Sequence, residues 1–292
     1  MMKLVAVVVL ISAAVLISGA VVVGGRLVSP HRLEIGPPPV DFPSHELILQ
    51  NDSGSEIRGW VHMIPEPTGT LLLLHGIRSD RRSMLGRARF LSAAGFNTVV
   101  IDLRAHGESG GNQITFGKLE ALDVSSVLRF IRSEFPRDPI GIIGCSLGGA
   151  AAILSESEVE VAALVVEATF TSIEMATNNR MKIKLGPGGS VLTPLLTVQF
   201  RFRLGFEPEE VSPLARISSV AAPILIINGS EDGRTTPAEA QALFDAASGH
   251  KELWIVEGAG HVDLHRFAQD EYERRVLGFL RAHMLGAGSR TR

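Results

Sequence analysis

The chain has 292 residues, with 28 lysines and arginines against 31 aspartates and glutamates, and a formal net charge of −3. About 45% of its residues are apolar, which lets one domain bury roughly three quarters of its unfolded surface without disulfides or metals. The weak negative charge and the lack of a basic block argue against a nucleic-acid partner. We therefore expect one domain behind an N-terminal extension.

The first 26 residues form an anchor or signal segment. Residues 4–23 contain no charge, and twenty residues of helix span about 30 Å, close to the thickness of a bilayer's hydrocarbon core. The run predicts a single-pass membrane anchor. A cleaved signal peptide is the alternative, because Lys3 is basic and residues 18–20 are small. Basic residues flank the run almost equally, so the distribution of positive charge hardly determines the orientation. We weakly favour an extracytoplasmic domain.

Residues 27–44 are predicted to form a proline-rich linker. The sequence Gly-Pro-Pro-Pro at 36–39 cannot continue a helix and favours extended polyproline geometry. We expect this linker to isolate the anchor mechanically from a globular domain at 45–285. A short C-terminal tail at 286–292 follows the domain.

The globular domain alternates short apolar runs with segments of helical periodicity. Residues 45–50 and 57–63 flank a polar turn and predict an antiparallel hairpin. Continuous apolar runs are typical of strands that are buried on both faces of a parallel sheet. The predicted fold is therefore a doubly wound, mostly parallel α/β sheet. The runs are 71–74, 98–101, 140–143, 162–166, 224–227 and 253–256.

Residues 171–210 interrupt the alternation and are predicted to form a lid. The segment is too long for an ordinary connection. It combines lysines and arginines with bulky apolar residues, a composition that suits a lipid interface. The alternative is that the apolar residues only cover a pocket while the charges face water.

Ser146 is the predicted nucleophile. It lies in Gly-Cys-Ser-Leu-Gly at 144–148, between a predicted strand and a helix of small residues. A tight strand-to-helix turn of this Gly-x-Ser-x-Gly type presents its hydroxyl above the sheet. The backbone N–H of Leu147, at the start of that helix, is a predicted oxyanion donor.

His261 is the predicted general base. It follows the last predicted strand in Gly-Ala-Gly-His, and imidazole is the side chain whose ordinary pKa suits proton transfer from a serine. His265 lies four residues on, at the spacing of a helical metal pair, but no glutamate occupies the metalloprotease position. We expect no metal and no cofactor.

Asp232 is the predicted partner of His261, because it follows the strand at 224–227 and gives the chain order Ser, Asp, His. Glu167, at the end of an earlier strand, is the main competitor for this role. Glu231 is adjacent to Asp232 and is expected to face away.

The second oxyanion donor is predicted to be the backbone N–H of Ile77. This residue follows the strand that ends in Leu-His-Gly at 74–76. His75 is interpreted as structural rather than basic. The loop after the next strand, residues 102–110, is assigned to shaping the pocket.

These motifs, in this order, resemble those of α/β-hydrolases over roughly residues 45–285. They are Leu-His-Gly, Asp-x-Arg-x-His-Gly-x-Ser-x-Gly, Gly-x-Ser-x-Gly-Gly, Asn-Gly-x-x-Asp and Gly-x-Gly-His. With the anchor, the segment 167–172 and the lid, the chain is similar to membrane-anchored members described as serine aminopeptidase-like hydrolases. It departs from the usual pattern at Asn228, where histidine is common, and at 235–237, where valine commonly precedes proline.

The resemblance and the residues together imply hydrolysis of an ester or thioester through an acyl-Ser146 intermediate. The substrate is expected to be a small-molecule or lipid acyl ester. A serine peptidase or amidase is the alternative within the enzyme class, and a non-catalytic binding protein on the same fold is the alternative outside it. A chain that begins near Gly36 is expected to stay soluble and to hydrolyse small esters.

Overall fold

The computed structural model describes residues 2–285, so the tail predicted at 286–292 lies outside the described part. Short β-branched and aliphatic runs form the strands, because such residues pack well on pleated, buried surfaces. In chain order the strands are β1 (His31–Arg32), β2 (His45–Gln50), β3 (Glu56–His62), β4 (Thr70–Leu74), β5 (Asn97–Ile101), β6 (His106–Gly107), β7 (Ile140–Cys145), β8 (Ala163–Glu167), β9 (Ile224–Gly229) and β10 (Lys251–Val256).

The central sheet has eight strands in the order β10-β9-β8-β7-β4-β5-β3-β2. β2 and β3 form an antiparallel hairpin, and β3 is also antiparallel to β5. The other neighbours are parallel; in the register of β4 and β7, for example, Leu72 is opposite Ile142. β1 and β6 form a separate two-stranded parallel sheet. The predicted hairpin and the mostly parallel sheet are therefore confirmed.

Helices cover both faces of this sheet, as in a doubly wound fold. The helices are α1 (Met2–Val28), α2 (Leu85–Ala93), α3 (Glu120–Glu134), α4 (Leu147–Leu154), α5 (Ile173–Leu185), α6 (Thr193–Leu204), α7 (Pro213–Arg216), α8 (Pro237–Ala246), α9 (Leu264–Phe267) and α10 (Gln269–Met284), with 3-10 helices at Arg81–Met84, Pro187–Leu192, Pro208–Glu210 and Ile217–Ser219. Buried apolar residues of α3, α4 and α8 belong to the hydrophobic cluster on one face of the sheet, and those of α2, α9 and α10 to the cluster on the other.

The segment predicted as a lid folds into α5 and α6. Ser172 begins α5 as an N-cap, since its side chain accepts a hydrogen bond from the backbone N–H of Met175. Gly205 ends α6 in the left-handed conformation, with φ of 78°. The two helices pack against each other, and Leu196 and Phe200 of α6 are buried.

Helix α1 is long and apolar enough to cross a membrane, with 27 residues and a mean hydropathy of 2.8 in its best window. Its C-terminal half packs against α6. The Gln199 side-chain amide donates to the carbonyl of Ala20 at 3.1 Å, and the Arg203 guanidinium donates to the carbonyl of Val21 at 2.7 Å. These contacts fix the end of α1 against the lid.

The segment 27–44 packs on the domain instead of isolating the anchor, so the expectation of mechanical isolation is wrong. Val28 is buried in the core, and β1 pairs with β6. The backbone N–H groups of Ile35 and Gly36 both donate to the Glu108 carboxylate at 3.0 Å. The prolines stiffen the chain, but hydrogen bonds on both sides of β1 hold it to the loop 105–114. The domain boundaries themselves stay a prediction.

Candidate active site

Ser146 lies in a strained turn between β7 and α4. Its backbone has φ of 50° and ψ of −105°, a region that residues with side chains rarely adopt. The flanking glycines permit the turn: a Cβ on Gly144 would lie 2.6 Å from the carbonyl carbon of Gly148, and one on Gly148 would lie 2.5 Å from the Leu74 carbonyl oxygen. The Ser146 N–H donates to the Glu167 carbonyl at 2.7 Å, which fixes the turn against β8.

Asp232 and His261 are joined by a hydrogen bond. Asp232 Oδ2 lies 2.7 Å from His261 Nδ1. The carboxylate is buried, while 19% of the His261 side chain is exposed. Burial acts to raise the Asp232 pKa, but the hydrogen bond and positive field of His261, with hydrogen bonds from Thr235, outweigh it, so that the pKa is lowered. The Asp232 carboxylate is therefore held ionised beside the imidazole.

The turn residues after Asp232 satisfy its remaining acceptor sites. The N–H groups of Arg234 and Thr235 donate to Oδ1 at 2.8 and 3.0 Å, and the Thr235 hydroxyl donates to Oδ2 at 2.8 Å. Asn228 donates in turn to the Thr235 carbonyl at 2.8 Å. The sequence reasoning missed this role for Thr235 and Asn228, although it singled out both positions as departures from the usual pattern.

The fold brings the three predicted residues to one edge of the sheet. Ser146 follows β7, Asp232 follows β9 and His261 follows β10, and these strands are linked by parallel pairing through β8. Among residues 2–285, no hydrogen bond joins the Ser146 hydroxyl to His261. Such bonds are often long before substrate binds and shorten in the reacting complex.

The competing acid Glu167 is occupied elsewhere. Its buried carboxylate receives hydrogen bonds from Arg87 Nε at 2.9 Å and from another Arg87 nitrogen at 2.6 Å. The hydroxyl of Tyr272 donates to the same carboxylate. Glu231 is exposed. The contacts of Glu167 are therefore those of a buried structural ion pair.

His75 fixes the peptide that precedes Ile77. His75 Nε2 accepts the N–H of Leu103 at 3.0 Å, so the ring proton is on Nδ1, which donates to the Gly76 carbonyl at 2.7 Å. In a trans peptide the N–H points opposite to the carbonyl. The Ile77 N–H is therefore directed away from His75. A Cβ on Gly76 would lie 3.6 Å from the Ser146 Cβ, so this peptide runs beside the serine.

His106 supports the same loop from behind. Its Nε2 accepts the N–H of Arg78 at 3.0 Å, and its Nδ1 donates to the Arg104 carbonyl at 2.9 Å. Burial lowers the pKa of His75 to about 4 and that of His106 to about 3. Both rings are therefore neutral at physiological pH and act as fixed hydrogen-bonding groups. This agrees with a structural assignment of His75 and of the loop 102–110.

A cavity of about 670 Å³ opens at Ser146. Ser146 and Leu147 line it, together with residues of α5 and α6 and residues of α1 between Val15 and Leu27. Its walls are mostly aliphatic and aromatic. Arg180 of α5 also lines it; burial lowers the pKa of this guanidinium, and the positive charge of Arg234 adds to the effect. The cavity volume is typical of small-molecule sites, which measure about 300–1,000 Å³.

One group of metal-ligating side chains lies together within residues 2–285, namely His250, Glu252 and His283. His250 and Glu252 are at the start of β10, at the edge of the sheet opposite to the strand ends that carry Ser146. His265 does not join His261; its Nε2 lies 3.0 Å from the Glu273 carboxylate, and its ring stacks on Phe90.

Comparison with known proteins agrees with this fold. The elbow, the strand order and the hydrogen-bonded acid and histidine define a protein of the α/β-hydrolase class. The sequence profile described as the alpha/beta hydrolase family matches residues 71–275. The chain belongs to the alpha/beta hydrolase family.

Several relatives and solved structures are similar over most of the chain. The chain is 25% identical to Bacillus subtilis YqkD over 239 residues, 80% of this chain and 78% of that protein. It is 27% identical to Schizosaccharomyces pombe bem46 over 212 residues, 70% of this chain and 62% of bem46. The Pyrococcus furiosus esterase Pf2001 superposes with a TM-score of 0.72 at 26% identity, covering 88% of this chain and 100% of the esterase chain.

Proposed function

We propose that the protein is a serine hydrolase that cleaves a carboxylic ester or thioester through an acyl-Ser146 intermediate. The observation that supports it most is the 2.7 Å contact between Asp232 and His261, on the sheet edge where Ser146 stands in a strained elbow. A carboxylate bonded to Nδ1 leaves Nε2 free to accept a proton. The similarity to the esterase Pf2001 supports the same reaction class.

The reaction runs in two halves. His261 Nε2 takes the proton of the Ser146 hydroxyl as its oxygen attacks the acyl carbon, and the protonated imidazole then gives that proton to the leaving alcohol or thiol. His261 next takes a proton from water, which attacks the acyl-enzyme. The acid is released, and the proton returns to Ser146. Asp232 keeps the proton of the neutral imidazole on Nδ1 and stabilises the imidazolium.

The backbone N–H groups of Ile77 and Leu147 are proposed to stabilise the oxyanion in both halves. The Ile77 peptide is oriented by the bond from His75 to Gly76, and Leu147 is the first residue of α4, where the N–H groups have no helical partner. Losing one such donor costs about 3 kcal/mol of transition-state stabilisation. His75 is thus a positioning residue.

We also propose that α1 anchors the protein to a membrane as a single pass, with the domain on the extracytoplasmic side. Its length and hydropathy support the anchor. A cleaved signal segment can have the same length and hydropathy. The two interpretations differ in the mature protein, which keeps α1 only if the segment is an anchor.

Fluorophosphonate labelling tests the reaction class. The full-length protein is expected to be labelled and to hydrolyse p-nitrophenyl esters, whereas Ser146→Ala should lose both properties and keep the same thermal unfolding curve, because only one oxygen is removed. Labelling of Ser146→Ala would assign the nucleophile to another residue. Preferential cleavage of amides or peptides over matched esters would favour the peptidase alternative.

A further inference from the structure

Helix α1 supplies one wall of the cavity that ends at Ser146. Val15, Leu16, Gly19, Ala20 and Val23 line the cavity, and their spacing places them on a single face of the helix. At 1.5 Å per residue, this face follows the cavity for about 12 Å. Attachment to a membrane alone does not require α1 to line this cavity.

The wall is held in place by polar contacts that cross from the lid to α1. Gln199 and Arg203 donate to the backbone carbonyls of Ala20 and Val21. Gly24 leaves room for the Gln199 side chain in this position, because a Cβ there would lie 2.4 Å from its amide oxygen. These two bonds fix the register of α6 against α1.

The α1 wall of the cavity and the lid both carry exposed apolar side chains. Val15 and Leu16 line it and yet keep 65% and 55% of their surface exposed. On the lid, Phe202 and Val191 are about 80% exposed. Apolar surface of this kind is costly in water and is stable in contact with lipid chains. The exposed apolar side of α1 beside the cavity therefore faces the medium in which α1 itself would be embedded.

We propose that this cavity binds the acyl chain of a membrane lipid ester, which enters sideways from the bilayer between α1 and α6 and presents its ester carbonyl to Ser146. Gly19 is the specificity-determining position, because it faces the cavity and a Cβ there would meet nothing within 4 Å. This proposal rests on the proposed hydrolase function and adds the substrate class and the route of entry.

Substitution at Gly19 tests the route in the full-length protein, reconstituted in phosphatidylcholine vesicles. The measured quantity is the ratio of kcat/KM for p-nitrophenyl laurate to that for p-nitrophenyl acetate. Gly19→Phe fills the cavity beside the chain, and exclusion of even two methylenes should lower the ratio about ten-fold. Gly19→Val, with a smaller side chain, should lower it less. The matched control is Ala14→Phe, an exposed position that does not line the cavity, and its ratio should equal that of the wild type.

An unchanged ratio in Gly19→Phe overturns the proposal, as does an equal fall in Ala14→Phe. Isolation of a mature chain that begins after Ala20 also overturns it, because most of the wall would be absent. A second measurement does not depend on turnover: Ser146→Ala is irradiated with a diazirine-bearing palmitate, and the crosslinks are mapped by mass spectrometry. Crosslinks on α1 and α6 that Gly19→Phe removes support the proposal even if no ester is hydrolysed, and crosslinks confined to other surfaces overturn it.

Discussion

The two candidate acids can be separated by a pair of isosteric substitutions, because their contacts predict opposite consequences. Asp232→Asn should leave the protein folded but lower kcat by about 10⁴, since asparagine favours the wrong tautomer of His261. That factor corresponds to about 5.4 kcal/mol of activation free energy. The asparagine oxygen keeps the two backbone N–H bonds that Oδ1 accepts. The Thr235 hydroxyl, which donates to Oδ2, can turn to accept from the new amide nitrogen, so the loss of stability should be small.

Glu167→Gln should instead reduce stability and preserve turnover. Arg87 is buried, and the substitution removes its 2.6 Å ion pair, which costs about 3–5 kcal/mol when one partner of a buried pair is lost. Asp263 remains 2.9 Å from the guanidinium, so we expect the lower end of that range. For a domain of this size, about 3 kcal/mol lowers Tm by roughly 6–12 °C.

The assay for both variants is kcat per folded molecule, with the folded fraction taken from the thermal unfolding curve, together with Tm. This normalisation removes the contribution of unfolded protein, so a change in kcat reports chemistry alone. A wild-type kcat in Asp232→Asn combined with an inactive but stable Glu167→Gln would refute the assignment of Asp232 and transfer the role to Glu167.

Three further outcomes are expected. Burial keeps His75 and His106 neutral, with pKa values of about 4 and 3 in the folded protein against about 6.5 in the unfolded chain. Their contribution to stability is therefore complete above about pH 6.5 and is lost as the pH falls through about 4. Tm should fall between neutral pH and about pH 5, and a flat Tm would contradict this. Gly148→Ala should unfold at lower temperature and label slowly, since its Cβ would lie 2.5 Å from the Leu74 carbonyl oxygen, and a wild-type labelling rate would count against the tight elbow. EDTA should not inhibit, because proton transfer from Ser146 to His261 needs no metal; loss of activity that zinc restores would revive a metal role for His261 and His265.

Much of the fold could be predicted because the decisive signals are local. Apolar runs such as 71–74 and 140–143 can be read as doubly buried strands, and Gly-x-Ser-x-Gly requires a tight turn wherever a strand meets a helix. The carboxyl ends of parallel strands share one edge, so Ser146, Asp232 and His261 could be grouped from the sequence alone. Their individual roles stay predictions until variants are measured.

The remaining features depend on contacts between segments that are distant in the sequence, and no local sequence pattern predicts such contacts. Thr235 has an ordinary turn composition around it, and its bond to Asp232 becomes visible only when the loop is folded. In the same way, Gly24 is one of several glycines near the end of α1, and its importance comes from Gln199, far away in the chain. The prolines at 37–39 suggested a free spacer, because the composition of this segment carries no information on the part of the domain that it contacts.

The structure also changes where the N-terminal segment can be cut. A start near Gly36 would remove β1 and its pairing with β6, together with the N–H of Ile35 that donates to Glu108. A start at Pro30 keeps those bonds and removes α1 and Ser29, including the buried Val28. We expect the chain from Pro30 to hydrolyse p-nitrophenyl acetate at a rate per titrated site close to that of the full-length protein, because the proposed triad and both oxyanion donors lie downstream.

The same cut should abolish the preference for long chains, since it removes a wall of the cavity, and it should slow hydrolysis of bilayer-borne esters because the enzyme loses its high local concentration at the surface. These two effects can be separated by assaying laurate in detergent micelles, where local concentration no longer depends on α1. If the shortened chain prefers laurate over acetate in micelles as strongly as the full-length protein does, α1 is only an anchor. If the chain from Pro30 is inactive even on acetate, α1 is part of the folding unit, since the catalytic groups themselves would all be present.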